Sequence, residues 1–265
     1  MPSAPTSRAG HPFPERICLF GEQYTGKTRA VLEIAKWHQR MKSDAIFRIV
    51  DTDLSYERML IEGSAYADLE NLDIIDASNW QEALDGAKAH LAATKNPHDW
   101  LVMDRYNVLW DWVQDHFIEH VLGEETVANF WEAMRAKDAT ARLDGYKDWG
   151  YINKMYREMS MRTLHRADCH VLVVCTETPL FDAGGKFSES KRVYSQFGRM
   201  KAKPAGQKDT PNAFHTVIRM EDAGKKGWTM TAAKDREPRS KDHTQDMDVG
   251  NFWQPYLMGV GKWTL

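Results

Sequence analysis

An eight-residue stretch, Gly21-Glu22-Gln23-Tyr24-Thr25-Gly26-Lys27-Thr28, constrains this chain more than any other. It fits G-x-x-x-x-G-K-[ST] and has the flanks that such a turn needs. Before it, Arg16–Phe20 is a short apolar run that reads as a buried strand ending at Gly21. After it, Lys27 to about Met41 carries Ala30, Val31, Ile34, Ala35 and Trp37 on one helical face. The glycines let the backbone curl so that its N–H groups converge on phosphate oxygens, and the helix N-terminus adds partial positive charge. Lys27 is then placed for the β- and γ-phosphates of a nucleotide, and the Thr28 hydroxyl for Mg²⁺. All eight residues are candidates for the cradle.

The alternation continues downstream. Strands are predicted at Ala45–Asp53, Asn71–Asp76, Asp99–Asp104 and Cys169–Glu177. Helices are predicted at Ser78–Ala93, with Asn or Ser as cap, and from Val108 to about Arg166. Continuous apolar strands between helices predict an α/β fold with a mostly parallel central sheet covered on both faces. After Pro179, Gly, Lys, Ser and Arg dominate to about Pro211. Two further strands, Ala213–Glu221 and Gly227–Asp235, are joined through a Gly-Lys-Lys-Gly turn and predict a C-terminal antiparallel hairpin. The expected organisation is one domain over 16–247, with a helical insertion within about 108–166 and a basic mobile loop over about 182–211. A flexible segment, 1–15, precedes it, and an aromatic but aperiodic tail, 248–265, follows.

Composition sets limits. The 265 residues are 42% hydrophobic and 28% charged, enough for a sizeable core. The net charge of −3 requires any nucleic-acid contact to come from a local basic patch. The three cysteines form no CxxC pair and read as buried thiols in a reducing compartment. Met1–Glu15 lacks the apolar core of a signal peptide, and no apolar run approaches the roughly 18 residues of a membrane span. A soluble, cytoplasmic protein without a membrane partner is expected.

Strand tips carry the remaining chemistry. Asp104 ends the apolar run Trp100-Leu101-Val102-Met103, where a carboxylate beside the phosphate turn holds Mg²⁺. Asp51 and Asp53 end the strand after the first helix, where either can polarise an attacking water; Asp53 is the preferred base. Thr176 and Glu177 end the fifth strand, where a polar group can sense the γ-phosphate. Between Lys186 and Lys208, basic residues Lys186, Lys191, Arg192, Arg199, Lys201, Lys203 and Lys208 interleave with Phe187, Tyr194 and Phe197. Cations track phosphates and aromatic rings stack on unpaired bases, so the stretch suits single-stranded nucleic acid. Lys234 and Arg236, two apart at the end of the last strand, form a basic pair.

Taken together, these motifs resemble the RecA-like P-loop ATPases, and more narrowly the phage-encoded RecA-like single-strand annealing and recombination ATPases. The residues that carry the resemblance are Gly21–Thr28, Ile49–Asp53, Trp100–Asp104, Asp148–Tyr156, Val171–Glu177 and Ala232–Glu237, spread over about 16–240. It implies ATP and Mg²⁺ as cofactors, with Thr28 and Asp104 on the metal. Asp53 takes the place of a catalytic residue that is usually Glu, and Glu177 or Thr176 that of the sensor. The basic stretch takes the place of the DNA loop. Lys234 and Arg236 match a K-x-R pair acting in trans on ATP held between subunits. The implied function is ATP hydrolysis on single-stranded DNA in recombination, annealing or replication, by a ring or short filament that a single-strand-binding protein could assist. For a phage-encoded protein the location implied is the host cytoplasm. A helicase or packaging-type motor, a small-molecule (nucleotide) kinase and a nucleotide-binding scaffold are the competing readings.

Overall fold

All six residues of β1 (Arg16–Gly21) are buried, and the four apolar side chains at its centre divide between two apolar clusters. Ile17 and Leu19 join one; Cys18 and Phe20 join the other. β4 (Trp100–Met103) and β5 (His170–Pro179) divide in the same way, Trp100, Val102, Leu172 and Val174 against Leu101, Met103, Val171, Val173 and Cys175. A strand alternates faces at every residue, so an unbroken apolar run must be covered on both sides. The coverage comes from α1 (Lys27–Arg40) on the Ile17 face. On the Phe20 face it comes from α3 (Trp80–Ala93), α4 (Leu109–His116) and α6 (Asp148–Arg157).

With β2 (Phe47–Asp51), β3 (Leu72–Asp76), β7 (Thr216–Asp222), β8 (Trp228–Asp235) and β9 (Thr244–Met247), the sheet runs β3-β2-β4-β5-β1-β7-β8-β9. The first six in that order are parallel, and β7, β8 and β9 are joined antiparallel. The computed structural model describes residues 14–123, 127–137, 143, 147–182, 185–187, 190–235 and 244–247. Nearly all of the 1–15 segment, the 248–265 tail, parts of the 108–166 insertion and Arg236 therefore lie outside the described residues. No helix among the described residues is long and apolar enough to cross a membrane.

The expected α/β architecture, mostly parallel with an antiparallel C-terminal hairpin, is present, but several elements differ from expectation. β2 stops at Asp51 instead of Asp53, because the Asp51 carboxylate accepts from the Asp53 and Tyr56 N–H groups, both at 3.1 Å, and turns the chain into α2 (Ser55–Met59). The long helical region is broken: α4 and α6 each pass into a π-helical stretch, Phe117–Val121 and Glu158–Leu164, with α5 (Val127–Lys137) between. The basic stretch is not a continuous loop. It contains α7 (Lys191–Phe197), capped by Ser190, and β6 (Ala202–Pro204), paired antiparallel to the end of β5. At α3 the cap is as expected, Asn79 accepting from Glu82 N–H at 3.0 Å while Glu82 accepts from Ser78 N–H at 2.8 Å.

Three cysteines, Cys18, Cys169 and Cys175, are buried free thiols. Two histidines share the core around Trp100. His170 Nδ1 accepts from Glu15 N–H at 3.0 Å, which leaves the proton on Nε2, and its ring stacks on Trp100 at 4.7 Å. His38 packs edge-on against Trp37 and Phe47. Burial lowers both pKa values, that of His38 to about 4. The unfolded chain then binds protons that the folded chain refuses, so stability is full above the ordinary value and is lost as the pH falls from about 6.5 towards about 4. Urea unfolding should show a free energy at about pH 5 lower by about 2 kcal/mol than at about pH 7.5 from His38 alone. His38→Gln should remove that share of the pH dependence; a wild-type stability that is flat across the range would reject the buried neutral histidines.

Candidate functional site

The G-x-x-x-x-G-K-T turn leaves the sheet at the carboxyl end of β1, between β1 and α1. Two glycines are dictated by their surroundings. A Cβ on Gly21 would lie 2.2 Å from the Met220 carbonyl oxygen of β7, and Gly26 sits at φ +79° with the Trp228 ring 3.1 Å from where a Cβ would be. Within the turn the Thr25 hydroxyl donates to the Glu22 carbonyl at 2.9 Å, and Tyr24, at φ 64°, is 93% exposed at the tip. The N-terminus of α1 has no side-chain cap and no acidic residue in its first turn. Its N–H groups and dipole are therefore available to an anion. Lys27 folds over the loop, donating to the Gly21 carbonyl at 3.1 Å, the Glu22 carbonyl at 2.5 Å and the Thr25 hydroxyl at 3.3 Å.

Beside the turn is a cleft of about 480 Å³. Gln23, Tyr24, Gly26, Lys27 and Thr28 line it, whereas Gly21, Glu22 and Thr25 shape the loop behind. Asp104 stands opposite, and the Thr28 hydroxyl donates to its Oδ2 at 2.9 Å, joining residues 76 apart in sequence. Asp104 Oδ1 accepts from Arg105 N–H at 2.7 Å, and Thr52 Oγ1 donates to the Asp104 carbonyl at 3.0 Å. Burial raises the Asp104 pKa to about 6, with the Thr28 hydrogen bond opposing. Burial likewise lowers Lys27, with the charge of Asp104 opposing. Each group bears charge where water hydrates it poorly.

The two strand-tip pairs separate. Asp53 lines the cleft, while Asp51 is buried and spent on capping α2. Thr176 lines the cleft, its N–H donating to Asn107 Oδ1 at 3.0 Å. Glu177, one step further along β5, points to the other face and is held by Arg219 through two hydrogen bonds, each 2.9 Å. Glu177 is thus not among the cleft residues. The Lys234 ammonium donates to the Pro211 and Phe214 carbonyls of its own chain, at 2.8 and 2.6 Å. It sits opposite Val217, at the end of the sheet away from the turn.

In the basic stretch, Lys186, Lys191, Tyr194, Arg199 and Lys201 are exposed and Lys203 is half-buried. Arg192 lies on α7, its side chain outside the described residues. Phe197 departs from its expected stacking role: it is 2% exposed and packs edge-on against Phe20. Three lining residues carry no motif and were not anticipated: Arg29, Met59 and Arg105. Arg29 is tethered by the Tyr66 hydroxyl at 2.9 Å and lies over the Trp228 ring. Arg105 pairs with Asp53 at 3.4 Å. Its adjacency to the strand-tip Asp104 was the only available signal.

The chain matches no protein-family model and no curated protein.

The Glu177–Arg219 pair, 9% and 13% exposed, is placed to be structural. Arg219→Met strands a nearly buried carboxylate and should lower the unfolding free energy by roughly 3 kcal/mol. Adding Glu177→Met should restore most of it; a double variant as unstable as the single one would contradict the pairing.

Proposed function

We propose that this chain binds and hydrolyses ATP with Mg²⁺ in the cleft beside α1 and couples the reaction to single-stranded DNA, as a RecA-like ATPase. The observation that carries the reading is the Thr28–Asp104 hydrogen bond, which brings the phosphate-type turn and the strand-tip carboxylate into one cleft. The uncapped α1 N-terminus and Lys27 supply the positive field that a triphosphate needs.

The donor set also fits magnesium. No group of three or more His, Cys, Asp or Glu among the described residues could hold a metal unaided. Mg²⁺ is characteristically bound by few protein oxygens and completed by phosphates and water. Thr28 and Asp104 would hold it, and it would supply neutralisation of phosphate charge. Asp53 orients the water. The water oxygen bonds to the γ-phosphorus and the bond to the bridging oxygen breaks. The electron pair leaves on the diphosphate, and the water proton passes to the Asp53 carboxylate. Thr176, facing the cleft, is the polar group next to the reacting phosphate.

DNA coupling is supported by the exposed cations of α7 and the turn before β6, next to Tyr194, which is 54% exposed. β6 is bonded directly to the end of β5, the strand whose Thr176 lines the cleft. Assembly of subunits with ATP between them, approached by Arg236 of a neighbouring copy, belongs to the same reading.

ATP turnover, measured with and without single-stranded DNA, is the direct test. Lys27→Ala should reduce turnover by about 100-fold or more, and unchanged turnover rejects the phosphate site. Single-stranded DNA should stimulate at low salt and lose effect as salt rises, because the contacts are to phosphates. Lys191→Ala with Tyr194→Ala should weaken DNA binding by about tenfold. Absence of any low-salt DNA binding rejects the coupling.

A further inference from the structure

Three cations line the cleft among the described residues, and they are held very differently. Lys27 is bonded to three oxygens of its own loop. Arg29 is fixed by Tyr66 and Trp228. Arg105 has only a single-point ion pair, Nη1 to Asp53 Oδ2 at 3.4 Å, between side chains that are 41% and 28% exposed. The nearly buried Glu177–Arg219 pair has two hydrogen bonds of 2.9 Å and much lower exposure. A long, singly bonded and solvated pair is worth little and yields to a stronger competitor. A phosphoryl group, with more charge and three oxygens, is such a competitor.

The backbone is built to present Arg105. It lies at φ 50°, ψ 43°, the left-handed region that costs a non-glycine residue free energy. The Asp104 carboxylate pins its N–H at 2.7 Å, and the next side chain, Tyr106, is fully buried. With both neighbours anchored, the Arg105 side chain is directed across the cleft towards Asp53, the residue assigned to orient the water.

We propose that Arg105 is a γ-phosphate ligand acting in cis, and that its ion pair with Asp53 is a latch. The pair withholds the base until a triphosphate takes the guanidinium. The latch rests on the phosphate-site reading above. It predicts selectivity for triphosphate over diphosphate, because only the terminal phosphate competes with Asp53. It also makes Arg105 and Asp53 antagonists in binding although both serve turnover.

The test compares the binding of ADP and a non-hydrolysable ATP analogue, each with Mg²⁺, by the full chain. Arg105→Ala should weaken the analogue by about tenfold or more while ADP changes by less than about twofold. Asp53→Asn, nearly isosteric, should abolish turnover yet tighten the analogue by roughly threefold, and this gain should vanish when Arg105 is already Ala. Equal loss of both nucleotides in Arg105→Ala, no loss of either, or a gain from Asp53→Asn that persists without Arg105 overturns the latch. Lys27→Ala run alongside separates the two levels. If wild type binds no nucleotide in a Lys27-dependent way, the phosphate-site reading falls and the latch with it. If binding depends on Lys27 but not on Arg105, only the latch falls.

Discussion

A strand sends successive side chains to opposite faces, and where both faces are covered this parity decides which strand-tip residue meets α1. In β4, Trp100 and Val102 pack on the α1 side; Asp104 follows in phase and receives the Thr28 hydroxyl. In β5, Leu172 and Val174 pack there, and Thr176 follows into the cleft. Glu177 is one step out of phase and meets Arg219, which is itself out of phase with Ile218 and Met220. A slip of one residue would exchange these assignments. The apolar contacts that hold the register therefore also hold the chemistry.

Burial gives the cleft its electrostatic character. Asp104 is pushed up to about 6 and Lys27 is pushed down, both by desolvation; hydrogen bonds from Thr28 and the Arg105 N–H partly oppose the first shift, and the charge of Asp104 partly opposes the second. Charges in such a place are costly unless neighbouring groups compensate them. The two arginine–carboxylate pairs illustrate the same rule at different depths. Arg219–Glu177, nearly buried and doubly bonded, ties β7 to β5; Arg105–Asp53, more exposed and singly bonded, lies on the wall of the cleft.

The sheet was legible because its strands are continuous apolar runs, and β1 and β3–β5 fall within a residue or two of their predicted ends. α3 was legible to within two residues, and of the two caps expected, Asn or Ser, Asn79 takes the position. The breaks were less so. β2 ends early because Asp51 spends its carboxylate on the backbone, and an Asp at a strand tip gives no sign of whether it caps or faces a cleft. α7 and β6 were hidden in a Gly-, Lys- and Ser-rich stretch. Ser190 caps the first and pairing to β5 holds the second, and neither contact can be read from composition. Phe197 looked like a stacking ring because charge surrounded it, but Phe20 lies beneath it.

By itself, the sequence determined a mostly parallel sheet covered on both faces, a G-x-x-x-x-G-K-T turn at the first strand, and the polar residues Asp51, Asp53, Asp104, Thr176 and Glu177 at or just beyond the apolar runs. Periodicity and glycine placement are local properties, and one pass along the chain records them. Only the tertiary structure decided which of these groups meet: Thr28 with Asp104, Asp53 with Arg105, Glu177 with Arg219 and away from the cleft. Partners of that kind are set by strand order and register across long separations, and those depend on how the two cores close around the sheet.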